Sequence, residues 1–414
     1  MNKVGYILFL VMVSCTTKSN DCIEMTAEKI VGNPNYQAIC YGGYRTNSRD
    51  KEPSLSEIKE DLKILSAMNI KVIRTYNVHF KEAENLLQAI TEMKKQDADF
   101  EMYVMLGAWI DCKNAWTDLP PIHDQESESN ATEIKEAVRL ANQYPAIVKI
   151  IAVGNEAMVK WATSYYVTPN IILKWVNHLQ GLKKQSKLPS SVWITCSDNF
   201  ASWGGGDESY HVDDLNQLIK AVDYISMHTY PMHDTHYNPV FWHLKENQQS
   251  LSDKEKINAL MLHSRDYAIS QYQSVVKYMK SIGVNKPVHI GETGWASQSN
   301  EHYGAKGSKA TDEYKSARFY QLMREWSNQQ KISCFYFEAF DENWKDSANP
   351  EGSENHFGLI NLKGQAKYAL WDALDKGVFN GLTRNGKPIT KTFNGNEKQM
   401  WKEVMMPNEP LVHN

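Results

Sequence analysis

Short apolar runs separated by longer amphipathic stretches recur eight times along the chain. The runs are YQAICYGGY (36–44), KVIRTYNV (71–78), EMYVMLGAWI (101–110), VKIIAVGNEA (148–157), SVWITCSDNF (191–200), VDYISMHTYP (222–231), KPVHIGETGW (286–295) and ISCFYFEAF (332–340). Their apolar content is nearly continuous rather than alternating, which is the pattern of parallel strands covered on both faces. Between them, apolar positions fall at helical spacing. In PSLSEIKEDLKILSAMN, Ser54 and Glu57 form an S-x-x-E capping box, and Leu55, Ile58, Leu62 and Leu65 share one face. Strand and helix alternate to the end, the order of βαβ units, and eight repeats predict a single (β/α)8 (TIM) barrel of the α/β class. An open doubly wound sheet would carry a glycine-rich phosphate turn after its first strand, and CYGGY is no such turn.

Two stretches fall outside the repeating units. One is an insertion after the sixth run, MHDTHYNPVFWHLKENQQSLSDKEKI; the other is a tail from about residue 377, where RNGK between GLT and PIT predicts a small hairpin. A barrel over 21–376 with an extension over 377–414 packed on it accounts for the chain as one domain, since barrels with insertions reach 414 residues. The first residues show one lysine, an apolar run from Val4 to Val13 too short to span a bilayer, then Ser14-Cys15. This predicts a leader and anchor over 1–20, with Cys15 as the lipidated residue of an exported bacterial lipoprotein. An ordinary leader cut near Ser19 is the alternative. The expected location is therefore extracytoplasmic, on the periplasmic or surface face of the outer membrane. The lipid is the expected membrane contact, and the expected state is a monomer. Cys22, Cys40, Cys112, Cys196 and Cys334 lack zinc spacing and read as buried thiols, with Cys22–Cys40 the one disulfide to consider.

Composition narrows the function. The chain is 42% hydrophobic and 23% charged, as globular domains are, and its 12 Trp and 21 Tyr suit stacking on flat ligand faces. A net charge of −4 supplies no basic field, which argues against a nucleic-acid partner. In a barrel of this kind the active site lies at the carboxyl ends of the strands, where the sequence places Arg74, Tyr76, Asn155, Glu156, His228, Tyr230, Glu292, Glu338, Asp341, Glu342 and Lys345. Two carboxylates on the fourth and seventh strands, facing one cavity about 5–5.5 Å apart, are what retaining glycoside hydrolysis needs. His228, His233, Asp234 and His236 are metal-ligating types, but their spacing matches no familiar zinc helix. No metal and no cofactor are expected.

GNEA and GETGWAS, with RTYN, MHTYP and FEAFDENWK in order, resemble glycoside hydrolase family 17, the β-1,3-glucanases and related glucanosyltransferases, from Tyr36 to Trp371. The resemblance implies retention of configuration and a β-1,3-glucan substrate such as laminarin; an endo-glucanase is the leading expectation, with exo action left open. It makes Glu156 the acid/base and Glu292 the nucleophile. It also makes Asn155 the partner of the reacting sugar's 2-hydroxyl, sets Tyr230 near the nucleophile, and assigns Glu342 and Lys345 as supporting groups. Tyr41, Tyr76, Arg74, Trp109, Trp295 and Trp344 complete the candidate substrate-binding set, each with a packing role as its alternative. The sequence departs from the family pattern at Ala296, where a proline is usual, and in the insertion after the sixth run. Two other readings stay open: a glucanosyltransferase using the same glutamates, and a non-catalytic glucan-binding surface lipoprotein. Loss of either carboxylate would favour the last, and both are present.

Overall fold

The computed structural model describes residues 25–407. Each apolar run contributes one strand: β1 (Gln37–Cys40), β2 (Ile70–Arg74), β3 (Tyr103–Ala108), β4 (Val148–Asn155), β5 (Trp193–Asn199), β6 (Ile225–His228), β7 (Val288–Gly294) and β8 (Cys334–Phe337). They close into one barrel, with every strand parallel to its sequence neighbours and β1 paired to β8. β3 and β7 are buried along their whole length, which is why their sequences run apolar instead of alternating.

Helices α1 (Leu55–Ala67), α2 (Glu82–Gln96), α3 (Ser129–Gln143), α4 (Pro169–Lys184), α5 (Asp213–Ala221), α6 (Asp253–Ser281) and α7 (Glu313–Gln330) make the connections. α1 starts at the predicted box: the Glu57 N–H donates to Ser54 Oγ at 3.3 Å and the Ser54 N–H to Glu57 Oε2 at 2.8 Å. Ile58, Leu62 and Leu65 then bury its inner face. The insertion after β6 forms a short helix (Pro231–Tyr237) and a turn (Pro239–Trp242) before a second capping box, Ser252 with Glu255, opens α6. A further excursion after β3, not anticipated from the sequence, pairs Cys112–Lys113 antiparallel with Ile122–Glu126.

The predicted terminal hairpin exists. Thr383–Arg384 pairs antiparallel with Lys387–Pro388 through Asn385 and Gly386, both at positive φ as a tight hairpin turn requires. It docks on α1 by charge. Arg384 is fully buried, and its Nε donates to Asp61 Oδ1 at 3.0 Å. Arg45 Nη2 reaches the same oxygen at 2.9 Å, and the Tyr41 hydroxyl donates to Asp61 Oδ2 at 3.2 Å. Glu60 accepts from the Asn385 and Gly386 N–H groups beside it.

Cys40, Cys112, Cys196 and Cys334 are free, buried thiols. Cys40 faces the Phe335 carbonyl from inside the wall, and Cys22, its partner in the considered bridge, lies outside the described residues. Cys15 and the expected leader lie outside them too. Among the described residues no helix is long and apolar enough to cross a membrane.

Candidate active site

At the carboxyl end of the barrel lies a cavity of about 740 Å³ whose wall includes Glu156, Glu292, Tyr230 and Phe337. β7 delivers Glu292, 6% exposed, near its last turn of backbone. Glu156 follows β4 directly at φ 46, a left-handed conformation that costs a non-glycine residue roughly 1–2 kcal/mol. The turn is pinned by the Glu156 N–H, which donates to the Ser197 carbonyl on β5 at 3.0 Å. Strain of this kind persists where surrounding structure over-determines it, and it concentrates at functional positions.

Glu292 is held on both oxygens. Oε2 accepts from Arg74 Nη1 at 2.5 Å and from the Tyr76 hydroxyl at 2.7 Å, while Oε1 accepts from the Tyr230 hydroxyl at 2.6 Å. Arg74, from β2, also donates to the Gly291 carbonyl at 3.0 Å and to Asn155 Oδ1 at 2.5 Å, so one guanidinium joins β2, β4 and β7. Burial opposes a charge on Glu292. The attraction of His228 and Arg74 and the two phenol hydrogen bonds overcome it and hold the carboxyl down at about 2. At neutral pH, where burial lowers His228 to about 4 and leaves it uncharged, Arg74 and the phenols carry that stabilisation. Burial keeps both phenols protonated, so they remain donors.

Glu156 is pushed the opposite way. Burial and then the negative charge of Glu292 raise it to about 8, against the weaker pull of Arg74. Fully buried His228 sits between the two: its Nδ1 lies 3.2 Å from Glu156 Oε1 and 3.9 Å from Glu292 Oε1. Because both distances share one nitrogen, the two oxygens are no more than 7.1 Å apart. That bound is compatible with the roughly 5–5.5 Å separation of retaining enzymes. Ser197 Oγ fixes the far side of the imidazole at 2.8 Å from Nε2 and is itself paired with Ser226 Oγ. An ionised carboxylate facing a protonated one across a cavity can perform nucleophilic attack with proton donation to a leaving group.

Arg74, Tyr76, Asn155, Glu156, Tyr230 and Glu292 thus come together, and other expected residues do not. Trp295 is fully buried; its N–H donates to the Ala310 carbonyl at 2.8 Å and its ring packs on Trp242 and Phe319, so it is a core residue and no sugar platform. Tyr41 is also buried, spent on Asp61 at the hairpin dock instead of on ligand. Trp344 stands outside the cavity wall with the Arg49 guanidinium over its ring at 4.2 Å, so that face is already covered. Glu342 is buried, accepts the Tyr44 N–H at 2.9 Å and pairs with Lys345 at 3.1 Å. Lys345 pairs with Glu338 as well and lies 4.1 Å from the ring centre of the cavity-wall residue Phe337. The Glu342–Lys345 pair braces the wall from behind. Trp109 lies beyond the cavity, its N–H on Asp111 at 2.6 Å.

The cavity also takes residues the sequence did not single out: Trp161, Tyr303, Glu354 and Phe357. They sit on connections without a periodic pattern, where a polar or aromatic residue carries no positional signal. The histidine-rich run disperses. His228 faces the glutamates, His233 the Tyr303 hydroxyl at 2.9 Å, Asp234 the Gln271 and Asn238 amides, and His236 stacks on His302. Among the described residues, no three His, Cys, Asp or Glu side chains gather as a metal site would require.

Comparison with known proteins adds the following. The family model of the BtgE/BtgC glycoside hydrolase domain matches residues 38–358. The putative glucan endo-1,3-beta-glucosidase btgC of Aspergillus niger is 22% identical over 317 residues, which cover 74% of this chain and 39% of that protein. The chain therefore spans about two fifths of the length of that curated relative. A crystal structure of an endo-laminarinase from Formosa Hel1_33_131 is 62% identical with a TM-score of 0.92, covering 94% of this chain and 100% of that one. A Rhizomucor miehei beta-1,3-glucanosyltransferase mutant in complex with laminaritriose shares the fold at 18% identity and a TM-score of 0.55, over 81% of this chain and 96% of its own.

Proposed function

The chain belongs to the BtgE/BtgC glycoside hydrolase domain family, and from that premise we propose that it hydrolyses β-1,3-glucan of the laminarin type, endo-wise and with retention. One observation carries the reading: in a single cavity an ionised Glu292 with three donors faces a protonated Glu156. Glu292 attacks the anomeric carbon while Glu156 gives its proton to the departing glycosidic oxygen, leaving a glycosyl ester and an ionised Glu156. With Glu292 now neutral, Glu156 takes a proton from water, the hydroxide oxygen displaces the ester, and both carboxyls return to their starting states. Asn155 Oδ1 is committed to Arg74, which leaves its amide N–H groups for the sugar's 2-hydroxyl. The 62% identity to the Formosa endo-laminarinase supports laminarin and internal cleavage.

Chromatography of products from laminarin and short β-1,3 oligosaccharides tests this, with proton NMR of the first product. Shorter oligosaccharides that appear first as the β-anomer are expected. An α-anomer would refute the nucleophile assignment, and products longer than the substrate would convert the reading to glucanosyl transfer. For the amino-terminal segment we propose the lipoprotein reading, with Cys15 anchoring one catalytic unit outside the cytoplasm as a monomer. Replacing Cys15 by Ser should release the protein from membranes, and unchanged membrane partition would remove the anchor.

A further inference from the structure

The surface next to the cavity carries an aromatic arrangement that the catalytic reading leaves unused. Trp116, in the turn of the excursion after β3, is 63% exposed. One face of its indole stacks on Tyr165, with ring centres 5.1 Å apart and planes 21° apart. Its N–H donates to Asp111 Oδ1 at 3.2 Å, the oxygen that also takes the Trp109 N–H at 2.6 Å, and Trp109 leans on the same Tyr165 at 5.4 Å. One carboxylate thus fixes two indoles around one phenol ring, and the outer face of Trp116 stays in solvent.

An isolated exposed Trp needs no explanation, but this one is oriented. Its backbone is left-handed at φ 62, and its ring is held by a hydrogen bond and a stack. A side chain already fixed in one rotamer loses little entropy when a ligand lands on it, which is the economy of a preorganised binding surface. No cation joins these contacts, so the surface suits a neutral ligand with a flat apolar face, and the C–H face of a pyranose ring is one. Continuity decides whose ring it is. Tyr165 belongs to the segment that leaves β4 at Glu156, and four residues before it the same segment carries Trp161, 62% exposed and in the cavity wall.

We propose that Trp116 on Tyr165 forms a distal subsite for glucose units of the same glucan chain whose scissile bond lies between Glu156 and Glu292. The chain leaves the cavity on the Glu156 side over Trp161. This rests on the proposed function and deepens it: the enzyme prefers chains long enough to span from the cavity to Trp116.

The test is a length series. Wild type and Trp116→Ala are compared on β-1,3 oligosaccharides from the shortest one cleaved up to laminarin, with melting temperatures alongside. kcat/KM should fall about threefold to tenfold on long substrates through KM, and stay unchanged on the shortest. Trp116→Tyr should restore most of the loss. Equal loss at every length, or none at any length, overturns the subsite. Binding is measured separately by calorimetry with laminarin, in Glu292→Gln protein with and without Trp116→Ala. Weaker binding in the double variant supports the subsite, and equal binding overturns it. Wild-type inertness on laminarin would fall on the proposed function, and the binding comparison would still decide the subsite.

Discussion

Glu292→Gln should lower the pKa of Glu156 by about two units. The two carboxyl oxygens are no more than 7.1 Å apart. With an effective dielectric constant of about 20, a unit charge at roughly 5–7 Å acts with about 2.5–3.5 kcal/mol, or about 2 pKa units. Glu156 stands at about 8 because burial and the Glu292 charge both disfavour its ionisation. Removing the charge removes only the second cause, so the group should fall yet stay above an ordinary glutamate because it remains buried. Carboxyl carbon shifts of 13C-labelled glutamate, followed from pH 3 to 10, give the value directly. Trapping wild type as a 2-fluoroglycosyl ester should lower it by a similar amount, since the ester also has no charge. A change under about half a unit in either case would refute the coupling and leave burial as the sole cause. A parallel sign follows for turnover: kcat/KM should fall as pH rises through about 8, where Glu156 loses the proton it donates.

Tyr230→Phe removes one donor from ionised Glu292 and should lower kcat about 10–100-fold, the cost of a hydrogen bond to a charged group, with the melting temperature nearly unchanged; an unaltered kcat would remove Tyr230 from the positioning set. Asp61→Ala strands Arg384 and leaves Arg45 short of a partner, so calorimetric unfolding should show a loss of about 3–5 kcal/mol while KM at low temperature stays put. Trp295→Ala should cost about 3–5 kcal/mol of stability by calorimetry, whereas unchanged stability with a change confined to long-glucan KM would make it a sugar platform instead.

The barrel was legible because its strands are covered on both faces, and that burial writes each of them as an apolar run. Glu156 and Glu292 were legible because the carboxyl end of a barrel strand is a privileged address, and the strand order supplied it. Trp295 was not. It occupies the same kind of address, yet Trp242 from the insertion and Phe319 from α7 close over it, and no local pattern announces a cover that arrives from so far along the chain. Tyr41 failed as a ligand residue for the same reason, since its partner Asp61 is set by Arg384, 323 positions away from that aspartate. His228 lay on a four-residue strand whose register shifts at Met227 and His228, so alternation could not say that it points between the glutamates. The excursion holding Trp116 is largely polar and was invisible to a search for apolar runs.

The hairpin dock sets an order of events during synthesis. Asp61 is committed to a fully buried position early in the chain, but Arg384 joins it only after more than three hundred further residues have emerged. Until then the amino-terminal βα unit holds an acidic group with Arg45 as its cationic partner and the Tyr41 hydroxyl as a donor, and burying it incompletely paired is unfavourable. The nascent chain is thereby discouraged from sealing its first unit before its last segment is made. Such late closure would keep the chain open along its first unit until translation is nearly complete.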